Sequence, residues 1–190
     1  MSAGNYVFHL KWKANRLDHA PTGIFSGAGS SPYSPTRLTA EVVTAPGNPK
    51  STAIMTQPVM NGNDGVTWQP ISSALDQPIT PSSDAVVNVS ANADLWTATA
   101  GFNQDLGIFV SVAGGQDQLI AWKESGGFNG TFSPNAAFTE AEFAVKSGVA
   151  YVFKAKWKMN RNGPGATIVI GAGSNAPYSP TRLTAELVAC

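Results

Sequence analysis

The sequence predicts an all-β fold, an antiparallel β-sandwich or jelly roll of about nine or ten strands. Three observations favour this class. Apolar and polar residues alternate with a period of two along many short segments. Clusters of Gly, Asn and Pro separate those segments at short intervals. Only 13 % of the residues are charged, while Gly and Pro number 19 and 13, a composition typical of turn-rich β proteins.

An internal repeat organises the chain. The segment Tyr6–Lys13 recurs with few changes as Tyr151–Lys158, and Pro32–Glu41 recurs unchanged as Pro177–Glu186. Self-similarity of this kind indicates duplication. We therefore expect the C-terminal third of one repeat, with about three strands, then a linker rich in Pro and Gly, then a complete jelly-roll-like repeat. These three parts are residues 1–43, 44–50 and 51–190.

The strands follow from alternation along the chain. In Tyr6–Lys13 every second residue is apolar and the residues at 9, 11 and 13 are basic, which predicts one buried face and one wet face. Phe138–Val145 also suits a short helix because of its Ala and Glu, but its alternation favours a strand. The remaining predicted strands are 37–42, 84–90, 106–112, 119–123, 151–158 and 182–187, with shorter ones near Thr67, Thr97 and Thr167.

Five aromatic side chains are expected in the interior of the sandwich, because each lies in phase with the apolar face of its strand. Trp122 is included since it is opposite in phase to Ala121 and Lys123. The five residues are Phe109, Trp122, Phe143, Phe153 and Trp157.

The late strand carries a family resemblance. Tyr151–Lys158 follows a turn at Ser147-Gly148 and precedes a Gly-rich loop and a last strand, an order that resembles the end of C1q/TNF-like jelly rolls in bacterial surface and phage-fibre proteins. Other blocks, such as Asn92–Trp96 and Ala121–Gly127, are similar to repeats of uncharacterised secreted bacterial proteins. The first resemblance implies a jelly-roll fold, and the second implies no catalytic residues.

Charge and cysteine content limit the partners and the compartment. The formal net charge is zero, which excludes strong electrostatic attraction to nucleic acid or to an anionic membrane surface. No apolar run approaches the roughly 18 residues of a membrane span. Cys190 is the one cysteine, so no intramolecular disulfide forms. The residues after Met1 do not resemble a signal peptide, yet the low charge favours an extracellular or cell-surface location.

No catalytic residue is assigned. His9 and His19 are the only histidines, and both lie in the partial repeat, so neither a histidine-based triad nor a zinc site is indicated. No cofactor is expected, with Ca²⁺ as the one candidate. Its ligands would be the oxygen-rich side chains of Asp94, Asn103 and Asp105, which we place in loops flanking strands. Ordinary turn-capping roles explain the same residues.

Aromatic residues beside polar loops are the candidate ligand-binding residues, because exposed rings offer a stacking surface for sugars. Trp68 and Trp96 border polar segments, while Tyr33 and Tyr178 lie in loops with Pro close on both sides. The Tyr residues also suit a second role as plugs over one end of the sandwich.

These features favour a non-enzymatic extracellular binding or adhesion module, with a glycan as the candidate partner. One alternative is a self-assembling fibre or filament subunit. In that case the strands of 6–43 and their copies in 151–188 would exchange between chains to form a homo-oligomer. A second alternative is a glycan-active enzyme that uses paired carboxylates such as Asp94, Asp105 or Glu124.

Overall fold

The structure is a computed structural model that describes residues 5–11, 38, 50–127, 135–171 and 180–188. Two compact units divide the chain, Met1–Thr44 and Ala45–Cys190. In the first unit, residues 5–11 form no strand, so the prediction for 6–13 is wrong over the part that is described. A strand requires a hydrogen-bonded neighbour, and no ladder joins residues 5–11 to any strand in the described ranges. Apart from Leu38, the strand predicted over 37–42 lies outside the described residues.

The described part of the second unit contains eleven strands and one 3₁₀ turn, Ser73–Leu75, and no α-helix. The strands are β1 (Lys50–Ile54), β2 (Val59–Asn63), β3 (Gln69–Pro70), β4 (Gln77–Ile79), β5 (Ala85–Thr97), β6 (Gln104–Val112), β7 (Gln118–Ser125), β8 (Asn135–Val145), β9 (Tyr151–Met159), β10 (Gly163–Ile170) and β11 (Thr181–Val188). The predicted strands of the complete repeat are present, except that the short strand near Thr97 is the end of β5 and not a separate strand. β8 confirms the strand interpretation over the helix.

Two antiparallel sheets face each other. In the first, here called the β5 sheet, β5 lies between β8 on one side and β11 and β10 on the other, with β1 beside β11 and β2 beside β10. In the second, the β6 sheet, the order is β3 or β4, then β9, β6 and β7. The chain therefore crosses six times between the two sheets, in the manner of a jelly roll, which confirms the predicted fold class.

The core fills the space between the sheets with side chains from alternate positions. Phe153 and Trp157 of β9 are buried there, as predicted, and Phe143 of β8 packs against Phe153. Phe109 is also buried, but it lies on the outer face of β6 rather than between the sheets. The prediction for Trp122 is wrong, because its side chain is 53 % exposed.

Strand β5 is longer than predicted, since it continues from Ala85 to Thr97 without a turn. Its inward positions are small or aliphatic residues, and its outward positions hold Asn92, Asp94 and Trp96. Asp105 likewise lies within β6. The expectation that Asp94 and Asp105 lie in loops is therefore wrong, because polar residues are tolerated on the outer face of a strand.

Strand β6 is buried along both faces, which is unusual for an antiparallel sheet whose outer side meets water. Leu106, Ile108 and Val110 point into the core, so the alternate residues of β6 must be covered from outside the sandwich. The coverage of that outer side defines the site described below. No helix in the described ranges is long and apolar enough to cross a membrane.

Candidate functional site

The strand register arranges the outer face of β9, β6 and β7 in three rows, which together we call the β6 outer face. Each row takes one residue from each strand in that order. The rows are Lys158–Asp105–Glu124, Lys156–Gly107–Trp122 and Lys154–Phe109–Leu119. Three lysines therefore line the β9 side of this surface, while Glu124, Trp122 and Leu119 line the β7 side.

Trp68 covers the middle of the β6 outer face. A methyl group added at Gly107 would lie 2.8 Å from Cζ3 of the indole, so the ring rests directly on the glycine backbone. The same ring meets Phe109 edge to face, with centroids 5.3 Å apart. Trp122 pairs with Gly107 on the neighbouring strand. Trp68 and Phe109 therefore pack together over Gly107, and the register places Trp122 on the adjacent strand; these three residues are here called the aromatic shelf.

The turn before Trp68 fixes its position. The Asp64 carboxylate accepts hydrogen bonds from the backbone N–H groups of Val66 (2.8 Å) and Thr67 (2.6 Å) and from the Thr67 hydroxyl (2.5 Å). These bonds, led by the hydroxyl, lower the pKa of Asp64 to about 2. Asn63 adds a bond from its side-chain amide to the Thr67 carbonyl, at 3.0 Å. The indole is therefore attached directly after a turn that hydrogen bonds hold in one conformation.

Trp122 points outward because β7 is an edge strand with a bulge. The register of β6 and β7 shifts between Ile108 and Phe109, which leaves Ile120 out of the pairing. Ile120 and Ala121 are then both partly buried against the core although they are consecutive. Simple alternation would place Ile120 and Trp122 on the same face of β7. Because the bulge turns Ile120 toward the core, Trp122 lies on the opposite face and its ring is exposed to solvent.

Two lysines of the β6 outer face share one carboxylate. Lys154 Nζ lies 2.8 Å from Oδ1 of Asp117, and Lys156 Nζ lies 2.7 Å from Oδ2. Burial disfavours the ionised form of Asp117, but the two lysine hydrogen bonds outweigh it and lower the pKa of this carboxyl group. Lys156 Nζ also sits 4.7 Å from the Phe109 ring centroid, so it links the ion pairs to the aromatic shelf.

A surface pocket of about 380 Å³ opens beside these ion pairs. Burial raises the pKa of Asp76, and the nearby Asp117 adds to the effect while the two lysines oppose it. The volume of this pocket falls within the usual range for small-molecule sites, about 300–1,000 Å³. The residues that line the pocket are Pro70, Ser72, Ser73, Asp76, Asp117, Lys154 and Lys156.

The row that ends the β6 outer face contains a buried ion pair. Asp105 is 3 % exposed, and its Oδ2 accepts a hydrogen bond from Lys158 Nζ. Its Oδ1 has no partner among the described residues. Burial raises the pKa of Asp105, which Lys158 partly offsets. Glu124 beside it accepts bonds from the side-chain amides of Asn103 (3.1 Å) and Asn160 (3.2 Å).

The three residues proposed to bind calcium are not brought together. Asn103 and Asp105 lie near each other on the β6 sheet, but Asp94 is on the outer face of β5, in the other sheet. Burial raises the pKa of Asp94. Within the described ranges, no three His, Cys, Asp or Glu residues are grouped in a way that suits a metal ion. Ligation by all three residues would therefore require a different arrangement.

The structure describes two of the four candidate ligand-binding residues, Trp68 and Trp96. Trp68 lies on the β6 outer face, and Trp96 lies half-buried on the outer side of β5, where its Nε1 has no hydrogen-bond partner in the described part. Tyr33 and Tyr178 lie outside the described residues. Sequence reasoning missed Trp122, Asp76 and the shared role of the lysines. The alternate lysines of β9 were a visible signal, since a strand rarely places three cations on one face without partners.

No protein-family model matches the sequence, and no curated protein matches it. Among solved structures, the chain is similar to one described as the structure of Eiger TNF from S. frugiperda. The TM-score is 0.43 at 9 % sequence identity, and the match covers 76 % of this chain and 94 % of that chain. The assignment to the jelly-roll class rests on the strand order and not on this likeness.

Replacing Gly107 by alanine tests the contact under Trp68. The new methyl group would lie 2.8 Å from the indole and 3.0 Å from the Phe109 ring, so the indole has to leave its place. We expect the free energy of unfolding to fall by about 1–3 kcal/mol, the usual cost of overpacking. Urea denaturation followed by tryptophan fluorescence measures it. Gly165→Ala is the control, because a methyl group there meets no atom within 4 Å. Equal stability of the two variants would contradict the contact.

Replacing Lys158 by methionine tests the buried ion pair. Asp105 would keep a buried charge without its cation, which costs about 3 kcal/mol of stability at neutral pH. The loss of the ammonium raises the already raised pKa of Asp105 further. An ionised carboxyl group with a raised pKa destabilises the fold, so the deficit should shrink as the pH falls toward the ordinary value of 3.8.

Denaturant unfolding at several pH values measures the deficit of Lys158→Met. Lys146→Met is the matched control, since Lys146 and its partner Asp84 are 73 % and 61 % exposed. A deficit that does not change with pH would show that Asp105 is not the buried charge.

Proposed function

We propose that the chain is a non-enzymatic binding module for carbohydrate and that the β6 outer face is its ligand-binding surface. The observation that supports this most is the exposure of Trp122, which is 53 % accessible beside a second indole held on Gly107. An exposed ring that adjoins further aromatic and charged side chains is typical of a recognition surface, whereas an exposed ring by itself is not.

The chemistry of the face suits a sugar. Sugar rings present C–H groups on their faces, which stack on an indole, and hydroxyl groups at their edges, which donate and accept hydrogen bonds. Trp68 and Trp122 supply the stacking surface. Lysine ammonium groups and carboxylates surround it, and binding sites typically combine apolar rings with a few such polar groups.

An extracellular or cell-surface location belongs to the same proposal, as does kinship with repeat modules of secreted bacterial proteins. Its support is the low charge, the turn-rich composition and the tandem repeat. Adhesion through such modules is the role we infer.

Replacing Trp122 by alanine tests the proposal. Screening the protein against an array of neutral and acidic oligosaccharides comes first, and calorimetry then measures the affinity for the best ligand. We expect Trp122→Ala to lower the affinity at least tenfold with little loss of stability, because most of the ring contacts only water. Phe138→Ala is the control. Phe138 is 54 % exposed but lies on the outer face of β8, in the β5 sheet.

Equal losses in both variants, or a ligand that is hydrolysed rather than held, would contradict the proposal. Hydrolysis would favour the competing class, a glycan-active enzyme with paired carboxylates.

Self-assembly is a second candidate function, and the exposure of the N-terminal segment favours it. Phe8 and Leu10 are 54 % and 56 % exposed. In the repeat they correspond to Phe153 and Ala155, which are buried in β9. Residues 6–13 of one chain would therefore suit the β9 position of another. The larger Leu10 costs about 1–3 kcal/mol there, so exchange is expected only at high concentration.

Sedimentation velocity over a range of concentrations tests this exchange in the full chain. Phe8→Glu should prevent association, because exchange would bury the new carboxylate between the sheets. Val7→Glu is the control, since the equivalent Val152 alternates with the buried positions of β9 and faces outward. If Phe8→Glu associates as the unmodified chain does, exchange through this segment is excluded.

A further inference from the structure

The pocket beside Asp117 is not part of the aromatic shelf, and its polar groups differ from those of the shelf. It lies where β9 meets the segment between β3 and β4, and Lys156 borders both surfaces. A ligand lying across Trp68 and Trp122 would therefore reach the pocket with its next unit. The inference drawn from this pocket rests on the proposed function.

Charge is balanced inside the pocket. Lys154 and Lys156 supply two positive charges, and Asp76 and Asp117 supply two negative ones. Each carboxylate oxygen of Asp117 forms an ion pair with one of the two lysines. Each ammonium group has three N–H donors, so each retains donors that can turn toward a ligand. The lysines are thus donors whose charge is already neutralised by the protein.

Asp76 supplies the free acceptor. Its carboxylate makes no hydrogen bond or ion pair to any residue that the structure describes, whereas Asp117 is engaged at both oxygens. Ser73 adds a hydroxyl group on the same wall, and its side chain likewise has no described hydrogen bond. The pocket therefore offers donors on one side and acceptors on the other, which matches the hydroxyl groups of a sugar.

We propose that this pocket is a subsite for one neutral sugar unit, next to the units that stack on the aromatic shelf. Lys154 and Lys156 donate to hydroxyl oxygens, and Asp76 accepts from hydroxyl groups. An acidic sugar is disfavoured, because its carboxylate would lie close to Asp76 and Asp117 and would gain only lysines that are already paired.

Two substitutions at the pocket carry opposite expectations. Asp76→Asn removes the charged acceptor and should weaken binding of neutral cello-, xylo- or malto-oligosaccharides about tenfold. Asp117→Asn leaves the lysines without their anion, so oligomers of glucuronic or galacturonic acid should gain about tenfold in affinity. Ser73→Ala is a milder second variant that tests the same wall, with a smaller loss expected. Calorimetry of the full chain with each oligosaccharide series measures these changes.

Asp84→Asn is the matched control for charge. It also removes one carboxylate from a lysine pair, but that pair is exposed and lies away from the β6 outer face, at the start of β5 and after β8. It should change neither neutral nor acidic sugar binding.

The outcomes separate the pocket from the shelf. If Trp122→Ala abolishes binding while Asp76→Asn and Ser73→Ala do not change it, the pocket proposal fails and the proposed function stands. A wild-type preference for uronic acid oligomers, or an equal gain in Asp84→Asn and Asp117→Asn, would overturn the neutral subsite. If the wild type binds none of these oligosaccharides, both proposals fail. The expected loss in Asp76→Asn together with the gain in Asp117→Asn supports the subsite.

Discussion

The contact between the Trp68 indole and the backbone of Gly107 determines the rest of the site. Strand β6 lies in the middle of its sheet, and its outer residues need a cover that the sandwich core does not provide. The indole supplies that cover because glycine leaves room for a ring where any side chain would collide. Its edge then rests on Phe109, and the Lys158 ammonium lies 5.2 Å from its centroid. A strand buried on both faces thus acquires an outer surface that is partly aromatic and partly charged.

Much of the fold follows from alternation alone. The sequence predicts β8, β9 and β11 with boundaries close to those in the structure, because the two faces of these strands differ strongly in polarity. Strand β9 is the clearest case, since Phe153 and Trp157 point inward while three lysines point outward. Strand β5 was underestimated, because its outward Asn and Asp residues resemble turn residues when no partner strand is known.

The site was less predictable because it depends on contacts between segments that are distant in the sequence. Trp122 was placed in the core since it is opposite in phase to Ala121 and Lys123, but a bulge at Ile120 turns it outward at the edge of the sheet. Asp76 and Asp117 lie 41 positions apart and meet only through β9. Trp68 was selected from the sequence as a candidate ligand-binding residue, but its contact with Gly107 is visible only in three dimensions. Single-residue patterns do not record such neighbours.

Mapping a bound oligosaccharide onto the fold by amide NMR is the most direct test of the central claim, that the β6 outer face is the ligand-binding surface. The titration uses the full chain and the oligosaccharide that binds most tightly in the array. The account predicts that the largest shifts fall on Gly107, Trp122 and Lys156, which lie side by side across β6, β7 and β9. Shifts concentrated around Phe138 and Thr184, on the outer face of the β5 sheet, would contradict it.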